Sequence, residues 1–387
     1  MLLDFSIYAP TYVSFTWALI LLISSKTNKA RFFLGIFMLM VSMIFLSHVI
    51  YFHHLKDIYI YFDLLFIFGS LSIFPIYYWY IKLLTFRSKI DFKDLIHLIP
   101  VLTILAATIT TYLFMSKEMR ELYVSNYLYG KGYWNGAVPL IKTQLFLCYT
   151  LQLIYFLQIM YSFVKVKSLI TDYNENIANF YSNLEDKTLQ WPKIILYSFV
   201  VTSIFTIFTN FMGRAYFDKW PIILLITCVA YSIFLFALGY FGYMQNHTVA
   251  IMEQDDFTPP LNVGENQNDK KIKARLIKLF ENEQLYKNPD LKITDIVMKL
   301  NTNRTYISTL INEEYDCSFS TFVNQYRVAE AKKALLSEEN YNFSIEHIST
   351  LVGFGSIHSF IRVFKDVTGT TPGRYRETAS KQPILQN

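Results

Sequence analysis

Two groups of polar side chains have the chemistry and spacing of DNA contacts. Arginine binds phosphates and the O6 and N7 atoms of guanine, and serine, threonine and histidine can hydrogen-bond to phosphates or base edges. The candidate contacts are Arg304, Thr305 and Ser308 in the first group and His358, Ser359 and Arg362 in the second. The alternative interpretation of each of these residues is plain solvated surface.

The first group lies on a helix, turn and helix pattern over residues 291–312. One apolar stripe precedes the turn and another follows it, and these stripes are Ile293, Ile296, Val297 and Leu300, then Ile307, Leu310 and Ile311. Asn301 tolerates the left-handed conformation of a tight turn, and Asn303 is a good N-cap for the second helix. The pattern predicts a helix-turn-helix with Arg304 at the start of its second helix.

The pattern recurs from Ile345 to Lys365, where Gly353 supplies the turn. Between the two units, Phe319, Phe322, Val323, Tyr326 and Ala329 share one face of a predicted connecting helix. An 18-residue helix is about 27 Å long. It can hold two recognition helices near the spacing of about 34 Å between successive turns of the major groove, so one chain could bind two half-sites.

Residues 273–377 resemble the AraC-type (AraC/XylS) transcriptional regulators, most strongly in VGFGSIHSFIRVFKDVTGTTPGRYRE. Arg327 and Ala331 also match the connecting helix of that family. The residues that match its C-terminal signature are Gly353, Phe354, Phe360, Phe364, Lys365, Gly369, Thr371, Pro372, Tyr375 and Arg376. The resemblance implies two helix-turn-helix units that bind promoter DNA.

The chain departs from the family pattern at four positions. Asn301 replaces the usual turn glycine, Val297 and Ser349 replace small alanines, and His358 stands where the family usually has serine. Each change is compatible with the fold, while His358 could alter the bases that the second unit recognises.

The rest of the chain has the composition of a membrane protein. Of 387 residues, 53% are hydrophobic and only 17% are charged, and the net charge is +5. A helix of about 20 apolar residues crosses a bilayer. Seven runs of this kind occur, at residues 5–25, 32–52, 58–82, 95–115, 138–164, 194–213 and 221–243.

Lysine and arginine favour cytoplasmic loops, so their distribution predicts the orientation of these runs. The first, third and fifth loops carry eleven of them and the other three loops carry six. We therefore expect a multi-pass protein of the bacterial cytoplasmic membrane, with its N-terminus outside and its C-terminal domain in the cytoplasm.

The predicted fold class is all-α, a seven-helix transmembrane bundle followed by two helix-turn-helix units joined by a connecting helix. The expected domains are a sensor bundle at 1–243, a linker at 244–270 and a DNA-binding domain at 271–380. The linker is inferred from Pro259, Pro260 and Gly264 in a polar stretch.

Ionisable residues inside a bundle are candidates for function. Asp63, His48 and Lys142 are therefore candidate residues for ligand binding or coupling. Asp63 and Lys142 lie near the predicted helix ends, so they could instead extend into the lipid headgroups.

We expect a membrane-anchored transcriptional regulator that couples a signal to gene expression. The alternative is a transporter or receptor with an accessory helix-turn-helix interaction domain. Phosphate-loop, zinc-protease and serine-hydrolase motifs do not occur in the sequence, so neither an enzyme nor a cofactor or metal is predicted. The expected partners are double-stranded promoter DNA, the lipid bilayer, a signal ligand, a second copy of the chain and, for an activator, RNA polymerase.

Overall fold

The computed structural model describes residues 2–26, 28–85, 90–130, 136–185, 187–188, 215–244, 269–340 and 342–381, together with four single positions between 189 and 214. The regular elements of these residues are helices, which confirms the predicted all-α fold. The chain divides into two compact units, residues 1–171 with 189–249 and residues 172–188 with 250–387. The second unit thus includes a segment that the expected domains, which stay a prediction, place at 1–243.

Long apolar helices build the first unit. In chain order they are α1 (Leu2–Ile23), α2 (Lys29–Phe52), α3 (Lys56–Leu84), α4 (Ile99–Phe114), α5 (Lys117–Leu122), α6 (Pro139–Phe180), α7 (Ala215–Lys219) and α8 (Pro221–Met244). A 3₁₀ turn at Phe92–Leu98 leads into α4, and a π-helical turn at Tyr123–Leu128 follows α5.

Small residues let the helices of the first unit approach closely. α1 packs against α2 and α8, and α2 packs against α3. Trp17 of α1 lies directly on Gly239 of α8, where an added Cβ atom would come within 2.2 Å of the indole ring. Gly35 of α2 meets Leu22 of α1 in a similar way, at 2.8 Å. Glycine at such contacts is typical of helices that associate in a bilayer, where close backbone approach replaces the hydrophobic effect.

Six helical segments among the described residues are long and apolar enough to cross a membrane. They are Leu2–Ile23, Lys29–Phe52, Lys56–Leu84, Phe92–Phe114, Pro139–Phe180 and Pro221–Met244. Each coincides with one of the predicted apolar runs. The remaining run, 194–213, lies outside the described residues apart from three single positions.

Helix α6 is longer than the predicted run at 138–164, because it continues to Phe180. Its extension carries buried residues at alternating spacings of four and three, as in a helix with one apolar stripe. The stripe consists of Val166, Ile170, Tyr173, Ile177 and Phe180. Polar residues between these positions lower the average hydropathy, so a search for long apolar runs ends too early. The last nine residues of the helix belong to the second unit.

The second unit contains two helix pairs on either side of one long helix. Its helices are α9 (Asp269–Glu281), α10 (Ile293–Leu300), α11 (Arg304–Tyr315), α12 (Phe319–Leu336), α13 (Ile345–Leu351), α14 (Ile357–Thr368) and α15 (Pro372–Lys381). The side of α12 that faces the second pair packs into a core with Ile348, Phe360 and Phe364. The connecting helix of 18 residues is therefore present as predicted.

Candidate nucleic-acid interface

The first helix-turn-helix consists of α10 and α11, and its turn has the predicted chemistry. Asn301 has φ 54° and ψ 55°, in the left-handed region. Asn303 caps α11, because its Oδ1 atom accepts a hydrogen bond from the Tyr306 backbone nitrogen at 2.7 Å. The four apolar residues predicted for α10 are buried, as are Ile307 and Ile311 of α11. The cap and the apolar stripe fix Arg304 at the first position of α11.

The second helix-turn-helix consists of α13 and α14. Gly353 has φ 91°, and an added Cβ atom would lie 2.4 Å from the Tyr286 carbonyl oxygen, so only glycine fits this turn. Ser356 caps α14, because its hydroxyl accepts a hydrogen bond from the Ser359 backbone nitrogen at 3.2 Å. Because Phe360 and Phe364 are fully buried, His358 and Arg362 lie on the opposite, exposed side of α14.

The six candidate DNA contacts lie in the first half of α11 and of α14. Thr305, His358 and Arg362 are exposed, and Ser308 and Ser359 are half-buried. N-terminal residues of a recognition helix are those that enter the major groove, so this placement suits DNA contact, which stays a prediction. Arg304 differs from the others, because its guanidinium lies over the Phe180 ring, 4.9 Å from the ring centroid.

Arg327 on the connecting helix is the largest fully buried side chain of the described residues. Its Nε atom donates to the Tyr286 carbonyl at 2.7 Å, and its Nη2 atom donates to the Asn288 carbonyl at 2.8 Å and to the Ser182 hydroxyl at 3.1 Å. Burial lowers the pKa of Arg327 to about 10, so the guanidinium is still charged at neutral pH. This buried cation joins α12 to the segment before α10 and to residue 182.

Residues 172–188 were not predicted to belong to this unit. Ser182 donates its backbone N–H to the Leu291 carbonyl at 3.0 Å, and Tyr181 forms an antiparallel bridge with Lys292. The partners are separated by more than one hundred positions in the chain, and a pairing of this range has no local sequence signal. In the sequence, the pairing is accompanied only by a short aromatic and polar stretch, Phe180, Tyr181 and Ser182, at the end of a polar helical segment.

The three candidate residues of the first unit have different surroundings. Asp63 is buried on α3 and accepts a hydrogen bond from the Tyr112 hydroxyl at 2.5 Å. Gln144 of α6 donates to the same hydroxyl at 3.3 Å. His48 lies among aromatic rings, 5.5 Å from the Phe66 centroid, and Lys142 is half-buried near the start of α6.

Tyr112 and Gln144 complete a polar cluster around Asp63 that sequence reasoning missed. Glutamine and tyrosine are ordinary residues in apolar helices, and the sequence does not reveal which of them face an aspartate. The cluster connects α3, α4 and α6 within the first unit.

Comparison with known proteins agrees with the geometry of the second unit. A family profile described as "Helix-turn-helix domain" matches residues 284–378. The chain is 30% identical over 97 residues to "Probable transcription factor PqrA" of Proteus vulgaris. This alignment covers 25% of this chain and 77% of that protein. It is 31% identical over 87 residues to the "Msm operon regulatory protein" of Streptococcus mutans, covering 22% of this chain and 30% of that protein.

One solved structure is also similar, the C-terminal domain of AraT, a response regulator from Geobacillus stearothermophilus. It is 25% identical, covers 29% of this chain and 86% of that chain, and has a TM-score of 0.25.

Two helix-turn-helix units on one connecting helix define a class of DNA-binding regulators. The chain belongs to the AraC-type helix-turn-helix family of transcriptional regulators, as the matched residues and relatives establish. The matched domain is one of transcription regulators. The chain spans only 15% of the length of another relative, an uncharacterized HTH-type transcriptional regulator of Bacillus subtilis, so the similarity concerns the C-terminal unit.

Proposed function

We propose that this protein is a regulator anchored in the bacterial cytoplasmic membrane, which binds promoter DNA through its second unit and receives a signal through its first. The main support for DNA binding is the pair of capped helices α11 and α14, each of which has polar residues at its N-terminal end. Paired units on one chain suit two half-sites in successive turns of the groove.

Membrane anchoring is supported by the surface of the first unit. Its long helices expose large apolar side chains, whose contact with water is unfavourable. Such side chains are typical of helix surfaces that face the hydrocarbon of a bilayer. Ile233 on α8 is 66% exposed, Phe146 on α6 is 61% exposed and Leu113 on α4 is 75% exposed. The bias of lysine and arginine toward the odd loops supports a cytoplasmic position for the second unit.

DNA binding is tested with the full chain in lipid nanodiscs, incubated with fragments of the host genome and then washed at rising salt. We expect enrichment of a few promoter fragments, each with a paired sequence motif. Binding should weaken steeply with salt, because phosphate contacts release counterions. Equal recovery of all fragments would contradict sequence-specific binding and favour the alternative of an accessory interaction domain.

The signal input is proposed to act through the cluster of Asp63, Tyr112 and Gln144. Interhelical hydrogen bonds in membranes contribute about 0.6 kcal/mol on average, which corresponds to about a threefold change in an equilibrium between two packing states. Asp63→Asn should therefore change promoter occupancy in cells by about threefold, whereas Asp57→Asn, at an exposed position of the same helix, should not. Equal occupancy in both variants would remove Asp63 from the signal pathway.

A further inference from the structure

We propose that residues 180–183, the docking segment, form an autoinhibitory contact that lowers the affinity of the second unit for DNA until the segment is released. The proposal rests on the proposed function, since it concerns the regulation of the same DNA-binding surface. The groove that receives the segment is formed by the start of α10, by α12 and by the turn before α14.

The docking segment is held by its backbone as well as by its side chains. Besides the pairing of Tyr181 and Ser182 with residues 291 and 292, the Ser320 hydroxyl on α12 donates to the Ser182 carbonyl at 3.1 Å. Phe180 is fully buried, and Tyr181 and Ser182 are 5% and 2% exposed. Such burial with paired backbone groups is the mode by which a groove binds an extended peptide.

The docking segment also provides a hydrogen-bond acceptor for the buried guanidinium of Arg327. The Arg327 guanidinium donates to the Ser182 hydroxyl, while its other hydrogen bonds reach carbonyls that do not depend on the segment. Release of the segment therefore leaves Arg327 with three hydrogen bonds, to the carbonyls of Tyr286 and Asn288 and to the Asn324 side chain. The groove can open without leaving a buried charge unpaired, as a reversible contact requires.

The position of the segment identifies what it inhibits. Phe180 lies under the Arg304 guanidinium at the first turn of α11, and residues 291 and 292 immediately precede α10. On the other side, Asn183 lies against Gly355 in the turn before α14, where an added Cβ atom would be 2.5 Å from the Asn183 Nδ2 atom. The segment thus contacts the residues before α10 and the first turn of α11 in the first helix-turn-helix, and the turn before α14 in the second helix-turn-helix.

These ends are the parts of a helix-turn-helix that meet the phosphate backbone and the major groove. A segment bound there competes with DNA for the same surface and fixes the position of one helix-turn-helix relative to the other. The segment lies outside residues 284–378, so it is not among the residues that the family profile matches. It begins at the last residue of α6, so a movement of that helix provides a route for release.

The test traps the docked state in the full chain. Asn183→Cys and Gly355→Cys are introduced together into a background in which Cys148, Cys228 and Cys317 are replaced by alanine, and the protein is placed in nanodiscs. Gly355 is not among the glycines with positive φ, so a cysteine fits its backbone. The probes are a labelled duplex carrying a genomic fragment enriched by the wild-type chain and a mixed-sequence duplex of equal length.

We expect the disulfide to form on mild oxidation, to weaken binding of the enriched duplex at least tenfold and to be reversed by reductant. Each single-cysteine variant should show no change on oxidation. Equal or tighter binding by the oxidised form would overturn the proposal, as would failure of the disulfide to form. If the disulfide forms but neither redox state prefers the enriched duplex, sequence-specific DNA binding fails along with its regulation.

A second variant tests release without a covalent bond. Ser182→Ala removes one hydrogen bond to Arg327 and adds no bulk, so the unit should fold and bind the enriched duplex more tightly than the wild type. Weaker binding by Ser182→Ala with normal folding would show that docking promotes DNA binding, which contradicts the proposal.

Discussion

The two turns show how the same left-handed geometry imposes different demands on a residue. Asn301 has φ 54°, a conformation that asparagine tolerates at modest cost. Gly353 has φ 91° and in addition lies against the backbone of Tyr286 and Lys287. The first turn therefore needs a residue that tolerates the left-handed conformation, and the second needs a residue without a side chain.

This difference predicts unequal effects of alanine at the two turns. Asn301→Ala should cost about 1 kcal/mol of stability, because alanine lacks the local hydrogen bonding that eases a left-handed conformation. Gly353→Ala should cost more than about 2 kcal/mol, because backbone strain and a clash add together. Amide hydrogen exchange of α10 and α13 in the full chain measures both, and Asn301→Gly serves as the control expected to be near neutral.

Equal protection in Asn301→Ala and Gly353→Ala would contradict this account of the second turn. It would show that residues 286 and 287 move aside when a methyl group is added.

Arg327 illustrates a residue whose importance lies in its planar group. Its guanidinium reaches carbonyls of Tyr286 and Asn288 at once, and a lysine ammonium cannot reproduce that fork. Arg327→Lys should destabilise the second unit by about 3 kcal/mol, because the buried charge then lacks partners. Faster hydrogen exchange across α12 measures the loss, and Lys333→Arg on the exposed side of the same helix is the control. Unchanged exchange in Arg327→Lys would show that this buried cation does not support the unit.

Among the elements, α14 offers the clearest surface for DNA. Its apolar stripe is buried against α12, so the helix axis is fixed while His358 and Arg362 stay exposed. Arg362→Ala should lower the affinity for the enriched duplex by about 1 to 3 kcal/mol and relax the preference at the base it contacts.

The control for Arg362→Ala is Lys333→Ala, which removes one positive charge from an exposed position on the connecting helix. If both variants lose affinity equally for every sequence, Arg362 contributes charge alone and does not recognise a base.

Elements with local patterns could be predicted from the sequence, and elements defined by long-range pairing could not. The caps and turns of α11 and α14 follow from Asn303 and Gly353, whose roles depend on neighbours within a few positions. The extension of α6 mixes polar residues with a stripe at Ile170, Tyr173 and Ile177, which a search for apolar runs misses. The pairing of Ser182 with Leu291 depends on contacts that no local signal encodes. For the same reason the sequence identified Asp63 but not its partner Tyr112.

The whole molecule combines an apolar unit and a helix-turn-helix unit that must occupy different environments. A regulator of this kind reaches DNA only if its second unit lies in the cytoplasm, and the loop charges favour that side without any reference to DNA. The run at 194–213 was predicted from the sequence as a seventh span, and an odd number of spans would put the two ends of the chain on opposite sides of the membrane. Orientation is therefore a property that can be tested independently of DNA binding.

Two exposed lysines provide a matched pair of reporters for this orientation. Lys117, 87% exposed at the start of α5, lies in a loop predicted to face outward, and Lys333, 79% exposed on α12, lies in the unit predicted to be in the cytoplasm. In a chain whose native cysteines are replaced by alanine, Lys117→Cys should react with a membrane-impermeant maleimide in intact cells, and Lys333→Cys should react only after permeabilisation. Reaction of Lys333→Cys in intact cells would contradict the topology and with it the access of the second unit to DNA.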